Sequence, residues 1–278
     1  MRDAVAYVPP GVAKLAVADL TLDYTNPETG VSHRAVEHLD LDVAANEFLC
    51  VVGPSGCGKS TLLSAIAGFI PATAGSIRMN GALVTGPGAE RGVVFQEYAL
   101  LPWMNVLDNA ALGLKLRGMP RKQRYDEARK FLAIANLHGV EHKYPHELSG
   151  GMKQRVAVAR TLANTPEVML MDEPFAAVDA QTRMVLQEEL VRIAARSQLT
   201  VLFITHSVEE AIFLGDRVAV MSPGPGRIRT TVDVPFPKDA RTWAALNADP
   251  AFAALRDRLL QLVRASGASA QPAALASA

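Results

Sequence analysis

The chain has 278 residues, enough for one large domain or two modest ones. Hydrophobic residues make up 49% and charged residues 20%, a balance that builds a packed core and excludes a disordered or fibrous chain. Its 28 basic side chains are offset by 28 acidic ones, which argues against a nucleic-acid surface or a polybasic membrane anchor. No apolar run approaches the ~20 residues of a spanning helix, and the segment Met1–Pro10 is broken by prolines without a signal-peptide core. The expectation is a cytoplasmic protein that meets a membrane only through a partner. Residues 1–14 read as an N-terminal extension.

Leu15–Tyr24 and, more clearly, Ala35–Val43 alternate apolar and polar residues around a turn-rich stretch, Thr25–Gly30, as an antiparallel hairpin does. Tyr24 ends the first strand, either as a rim aromatic or as a ring on which adenine stacks. Phe48–Val52 is an unbroken apolar run of the kind found in buried parallel strands. It leads into Gly53-Pro54-Ser55-Gly56-Cys57-Gly58-Lys59-Ser60-Thr61, which fits G-x-x-x-x-G-K-[ST], and then into a helical run over 62–67. Strand, loop and helix are the context this phosphate-binding motif needs. The glycines let backbone N–H groups turn inward at phosphate oxygens, and the helix N-terminus adds partial positive charge. Lys59 brings a full charge to the β/γ-phosphates, and Ser60 offers a hydroxyl to Mg²⁺. The two cysteines, Cys50 and Cys57, fall in strand and loop, where a disulfide would distort the loop. Cys57 reads as a small loop residue; the alternative is a redox switch.

Gly75–Met79 and Gly92–Phe95 read as strands, and Gln96 follows the second one directly. From about 97 to 162 the character is helical. Within it, 121–137 sets Tyr125, Ala128 and Leu132 opposite its charges. Leu148-Ser149-Gly150-Gly151-Met152-Lys153-Gln154-Arg155 then opens a helix capped by Ser149, with Met152, Val156, Ala159 and Ala163 on one stripe and Pro166 closing it. A Ser-Gly-Gly start is an ordinary cap and also a second candidate phosphate contact.

Val168–Asp172 is an apolar strand ending in the carboxylates of Asp172 and Glu173. Charges at the carboxyl end of a buried parallel strand lie where open α/β sheets place ligand chemistry. Asp172 suits Mg²⁺, directly or through water, and Glu173 suits a base or polariser for attacking water. Val201–Ile204 ends the same way in Thr205-His206; His206 reaches a γ-phosphate or satisfies a local hydrogen bond. A strand at 217–221, a Gly/Pro turn, one more strand and a helix over 252–263 complete the chain. Residues 265–278 carry no charge and read as a frayed or disordered tail.

Assembled in this order and spacing, Gly53–Thr61, Gln96, Leu148–Gln154, Val168–Glu173 and His206 make the chain resemble the nucleotide-binding subunit of ATP-binding cassette (ABC) transporters over roughly 15–264. The fold class implied is α/β, a P-loop ATPase with an antiparallel β subdomain and a helical signature-motif subdomain. The resemblance implies ATP and Mg²⁺ as ligands and a head-to-tail homodimer. Each ATP would lie between one copy's Gly53–Thr61 and Ser149, Gly150 and Gly151 of the other. Gln96 would coordinate Mg²⁺ alongside Ser60 and Asp172 and report to the helical insert. Glu173 would activate water, His206 would hold the γ-phosphate, Tyr24 would stack on adenine, and Asp179 would communicate across the dimer. Implied partners are a membrane permease and, through it, a periplasmic substrate-binding protein, at the cytoplasmic face of a bacterial inner membrane, with no nucleic acid. One departure is Ala176-Ala177-Val178-Asp179, where the family commonly has Ser-Ala-Leu-Asp; the serine hydroxyl is missing.

Within the family, Gly86–Gln96, Leu100–Trp103, Asp172–Phe175 and Met221–Arg227 resemble the nitrate/sulfonate/taurine importers, nearest the taurine branch. Trp103 would face the permease or pack within the insert. Nitrate, another sulfonate or another small anion is the alternative cargo. A soluble cassette acting on DNA or ribosomes is the alternative class. Ser149 lies 90 positions after Lys59, too few for the long coiled coil of repair cassettes, and there is one cassette rather than two. A nucleotide sensor without hydrolysis would lack Glu173.

Overall fold

A computed structural model describes residues 13–25, 30, 32–176, 178–238 and 241–268. Most of the proposed extension and tail, most of the Thr25–Gly30 turn, and Ala177 lie outside them. Two sheets form the frame. The antiparallel one holds β1 (Leu15–Thr25), β2 (Ser32–Val43), β4 (Ala74–Met79) and β5 (Ala82–Leu83), in the order β2-β1-β4-β5. The larger holds β3 (Phe48–Val52), β6 (Arg91–Val94), β7 (Val168–Asp172), β8 (Thr200–Thr205), β9 (Arg217–Met221) and β10 (Ile228–Asp233), in the order β10-β9-β3-β8-β7-β6. All its pairings are parallel except that of β10 with β9.

The continuous apolar runs follow from cover on both faces of this sheet. Phe48, Cys50 and Val52 of β3 point into one core with Met169, Met171, Val201 and Phe203. Leu49 and Val51 point into a second core with Val168, Leu170, Leu202 and Ile204. Period two is therefore present in the contacts although the letters do not alternate. The first core is closed by α6 (Ala180–Ser197), α7 (Val208–Leu214), α8 (Trp243–Ala248) and α9 (Pro250–Ala268). The second is closed by α1 (Lys59–Ala67) and the antiparallel sheet.

Between β6 and β7 the chain forms α2 (Val106–Ala110), α3 (Leu112–Leu116), α4 (Arg121–Ile134) and α5 (Gly150–Ala163), with a third core of their own. Helix α5 joins this group to the rest. Its Val156 and Ala159 serve the helical core, while Ala157, Val158 and Leu162 pack on the sheet.

Several boundaries differ from the sequence reading. The helix expected over 121–137 stops at Ile134, because Asn136 takes a left-handed φ of 53° and turns buried Leu137 back onto the helix. The last helix runs Pro250–Ala268, longer than 252–263, with proline at its first position. Residues 265–268, read as tail, are helical. Helices α6, α7 and α8 are elements that a motif-centred reading does not include. Each has a side-chain cap, from Asp179, Ser207 and Thr242.

Buried Arg241, just ahead of α8, ties that segment to the end of α7 and to the chain that follows β10. Its Nε and Nη2 donate to Phe236 O (3.0 and 2.6 Å), and its Nη1 donates to Phe213 O (3.1 Å) and Gly215 O (2.8 Å). Replacing it with Met should leave these buried carbonyls unpaired and cost about 3 kcal/mol. Urea unfolding checks this; an unchanged midpoint would remove Arg241 from its anchoring role.

Candidate active site

Strand β3 delivers the chain to Gly53 and α1 takes it up at Lys59. The turn is tight at Gly58, whose φ is 97° and where a Cβ would lie 2.6 Å from Ala35 O of β2. Only glycine meets both demands. Lys59 is 6% exposed, and its Nζ donates to Gly53 O and Pro54 O, each at 2.9 Å. Its ammonium is thus held inside the curl of the loop, with the start of α1 beside it. Cys50 and Cys57 are both free and buried. Burial pushes the Cys57 thiol up despite neighbouring Lys59, which disfavours a reactive thiolate and supports the small-loop-residue reading.

The next three groups, Asp172, Glu173 and His206, arrive from the ends of the adjacent strands β7 and β8. Ser60 Oγ donates to Asp172 Oδ1 at 3.1 Å, linking the loop to the end of β7. Burial, reinforced by the charge of Glu173, pushes the Asp172 carboxyl up, while the bond from Ser60 opposes the shift. A hydroxyl and a half-buried carboxylate on one side of the loop fit Mg²⁺, which takes few protein oxygens and keeps the rest for water and phosphate. Glu173 follows with φ 42°, a left-handed value that turns its side chain off the strand line, and its N–H donates to Ile204 O of β8 at 3.0 Å. Glu173 Oε2 then meets His206 Nδ1 at 2.9 Å; the carboxylate side chain is 22% exposed and the imidazole 61%.

The remaining expected residues sort into near and apart. Gln96 is exposed two positions beyond β6, on the same edge of the sheet. Tyr24 is 61% exposed and pairs with His33, two residues from the Ala35 that abuts Gly58. Ser149 caps α5 by accepting from Met152 N (3.3 Å), and Gly151 sits where a Cβ would be 2.5 Å from Thr182 Cγ2 of α6. Among the described residues, no hydrogen bond or ion pair joins Ser149, Gly150 or Gly151 to the Gly53–Thr61 loop. Asp179 caps α6, accepting from Thr182 N (3.0 Å), and that amide holds its carboxyl below the usual range. Trp103 is 70% exposed, so it does not pack inside the helical group.

One member of the site was missed. Buried Glu210 accepts from Gln187 Nε2 (2.7 Å) and from the hydroxyl of Thr205, directly beneath His206. Its sequence signal was Ser207-Val208-Glu209-Glu210, which fits a capping box. The structure departs from that box, because the carboxylate turns inward.

Comparison with known proteins adds to this geometry. Residues 36–176 match the family model described as ABC transporter. The chain is 52% identical over 228 residues to an uncharacterized ABC transporter ATP-binding protein of Methanocaldococcus jannaschii, covering 81% of this chain and 85% of that one. It is 47% identical over 251 residues to the taurine import ATP-binding protein TauB of Chromobacterium violaceum, covering 88% and 95%. The nitrate import ATP-binding protein NrtD of Synechocystis sp. is 47% identical over 234 residues, covering 83% and 88%. A solved dimeric ATP-binding cassette in a post-hydrolysis state, bound to ADP and Pi, matches with a TM-score of 0.71 at 28% identity, covering 80% of this chain and 99% of that one.

Proposed function

The chain belongs to the ABC transporter family as an ATPase coupled to transport, and on that footing we propose that Lys59, Ser60, Asp172, Glu173 and His206 form its hydrolytic site. The observation that carries this is the 2.9 Å Glu173–His206 contact beside the 3.1 Å Ser60–Asp172 contact, on the sheet edge that also presents Lys59. Gly53–Thr61 holds the β- and γ-phosphates through backbone N–H groups and the Lys59 ammonium. Ser60, Asp172 and Gln96 would hold Mg²⁺, and the ion would neutralise charge on the phosphate oxygens. Glu173 Oε2 is engaged by His206, leaving Oε1 to orient water. The water oxygen bonds to the γ-phosphorus, the bond to the β–γ bridging oxygen breaks, and the water proton passes toward Glu173. His206 donates to the γ-phosphate, and Tyr24 stacks on adenine.

One chain leaves the Ser149 end of α5 unlinked to its own phosphate loop, which supports a second copy presenting Ser149, Gly150 and Gly151 across the nucleotide. The dimeric state of the solved relative supports the same pairing. Asp179, exposed at the start of α6, lies at the proposed dimer contact. Among the described residues no helix is long and apolar enough to cross a membrane. The proposed route across is a separate permease, fed by a periplasmic binding protein, with this chain at the cytoplasmic face of the membrane; its likeness to import ATP-binding proteins supports this reading. Taurine or a related sulfonate is the proposed cargo, supported by the TauB match; nitrate is the second reading, supported by the NrtD match at equal identity. Ligand binding by the neighbouring binding protein decides between them.

Glu173→Gln should keep ATP binding, lower hydrolysis by about 100-fold or more, and trap a dimer visible by size-exclusion chromatography with Mg-ATP. Hydrolysis at the wild-type rate would overturn the assignment. Lys59→Ala should weaken ATP binding by about 100-fold through loss of the charged phosphate contact, read by calorimetry; unchanged affinity would refute the phosphate-loop reading. Trp103→Ala should reduce transport in proteoliposomes by about tenfold while leaving the ATPase rate of the isolated subunit within about twofold. Equal loss in both would place Trp103 in the fold rather than the permease contact.

A further inference from the structure

The side chain of His206 is 61% open to solvent, and it stands on a two-residue join between β8 and α7. An exposed side chain on a short loop keeps a fixed direction only if the backbone on both sides is held. Below it lies a chain of buried polar groups that the hydrolytic mechanism does not use. Thr205, 1% exposed, gives its hydroxyl proton to Glu210 Oε2 and accepts from Ser207 N at 3.0 Å. Glu210 N in turn donates to Ser207 Oγ at 3.2 Å. Both neighbours of His206 are therefore bonded to one residue of α7, directly or through a single hydroxyl.

The carboxylate is itself anchored. Its Oε1 accepts from Gln187 Nε2 of α6 at 2.7 Å, and Gln187 Oε1 accepts from Trp243 Nε1 of α8 at 3.1 Å. Trp243 lies flat on Phe213 of α7, ring centres 4.4 Å apart. Burial pushes the Glu210 carboxyl up, so its position costs stability that an exposed capping box would not cost. A buried carboxyl group bonded to both neighbours of a hydrolytic side chain calls for a role beyond capping.

We propose that Glu210 is the positioning residue of His206: through Thr205 and Ser207 it holds the β8–α7 join so that the imidazole stays against Glu173 and the γ-phosphate. This rests on His206 acting in hydrolysis as proposed above.

Glu210→Gln preserves shape but turns an amide donor toward groups that already donate. In the full-length protein it should lower kcat by about tenfold, the scale of one hydrogen bond to a charged group, with KM for ATP within about twofold. Thr205→Val breaks the same link from its other end and should do likewise, while Thr205→Ser should restore the rate. In a His206→Ala background, Glu210→Gln should bring no further loss in single-turnover hydrolysis. If Glu210→Gln lowers the melting temperature too far to assay, the Thr205 pair carries the test. Wild-type hydrolysis by His206→Ala would refute the hydrolytic reading and this inference with it. If His206→Ala is impaired, the inference alone falls on any of three results: unchanged kcat in Glu210→Gln or Thr205→Val, a matching rise in KM, or a full additional loss in the double variant.

Discussion

The parallel pairing of β8 between β3 and β7 is the constraint on which the rest depends. Val52 pairs with Thr205, and Asp172 pairs with Ile204, so three strands end within a residue of one another. Each strand end leads straight into a functional group: the phosphate loop after β3, His206 after β8, Glu173 after β7. The next strand, β6, brings Gln96 to the same edge. The chain visits these strands in the order β3, β6, β7, β8 yet lays them side by side as β3-β8-β7-β6. Parallel strands require a covered crossover between them, so each visit is separated by a helical segment that also buries a face of the sheet.

Polar groups at this edge are paired with one another. Lys59 rests on two carbonyls of its own loop, Ser60 on Asp172, and Glu173 on His206. Below them Thr205, Glu210, Gln187 and Trp243 continue the pattern into the core. Such a site is stiff, because moving one group unpairs another. Stiffness suits phosphoryl transfer, where placement and charge supply most of the effect.

Local patterns were legible where physics acts within a few residues. The hairpin, the β3–loop–α1 unit and the Ser149 cap follow from alternation, glycine spacing and capping chemistry, and the structure has all three. Legibility failed where a remote partner decides. Asn136 is a local exception: it ends α4 through a left-handed turn, a stop that the apolar periodicity out to Leu137 masked. Glu210 carries the pattern of a capping box, yet its carboxylate turns inward because Thr205 and Gln187, from β8 and α6, offer better-buried donors. Trp103, open to two readings in the sequence, stands exposed.

Residue types and short spacings were therefore enough to place a phosphate-loop pattern at Gly53–Thr61 between a strand and a helix, and Asp172 and Glu173 at a strand end. These are statements about consecutive residues, and backbone geometry enforces them locally. They could not say that Ser60 reaches Asp172, 112 positions away, or that Glu173 meets His206, 33 positions away. Those distances come from strand order, and strand order is settled by which apolar faces cover one another across the whole fold.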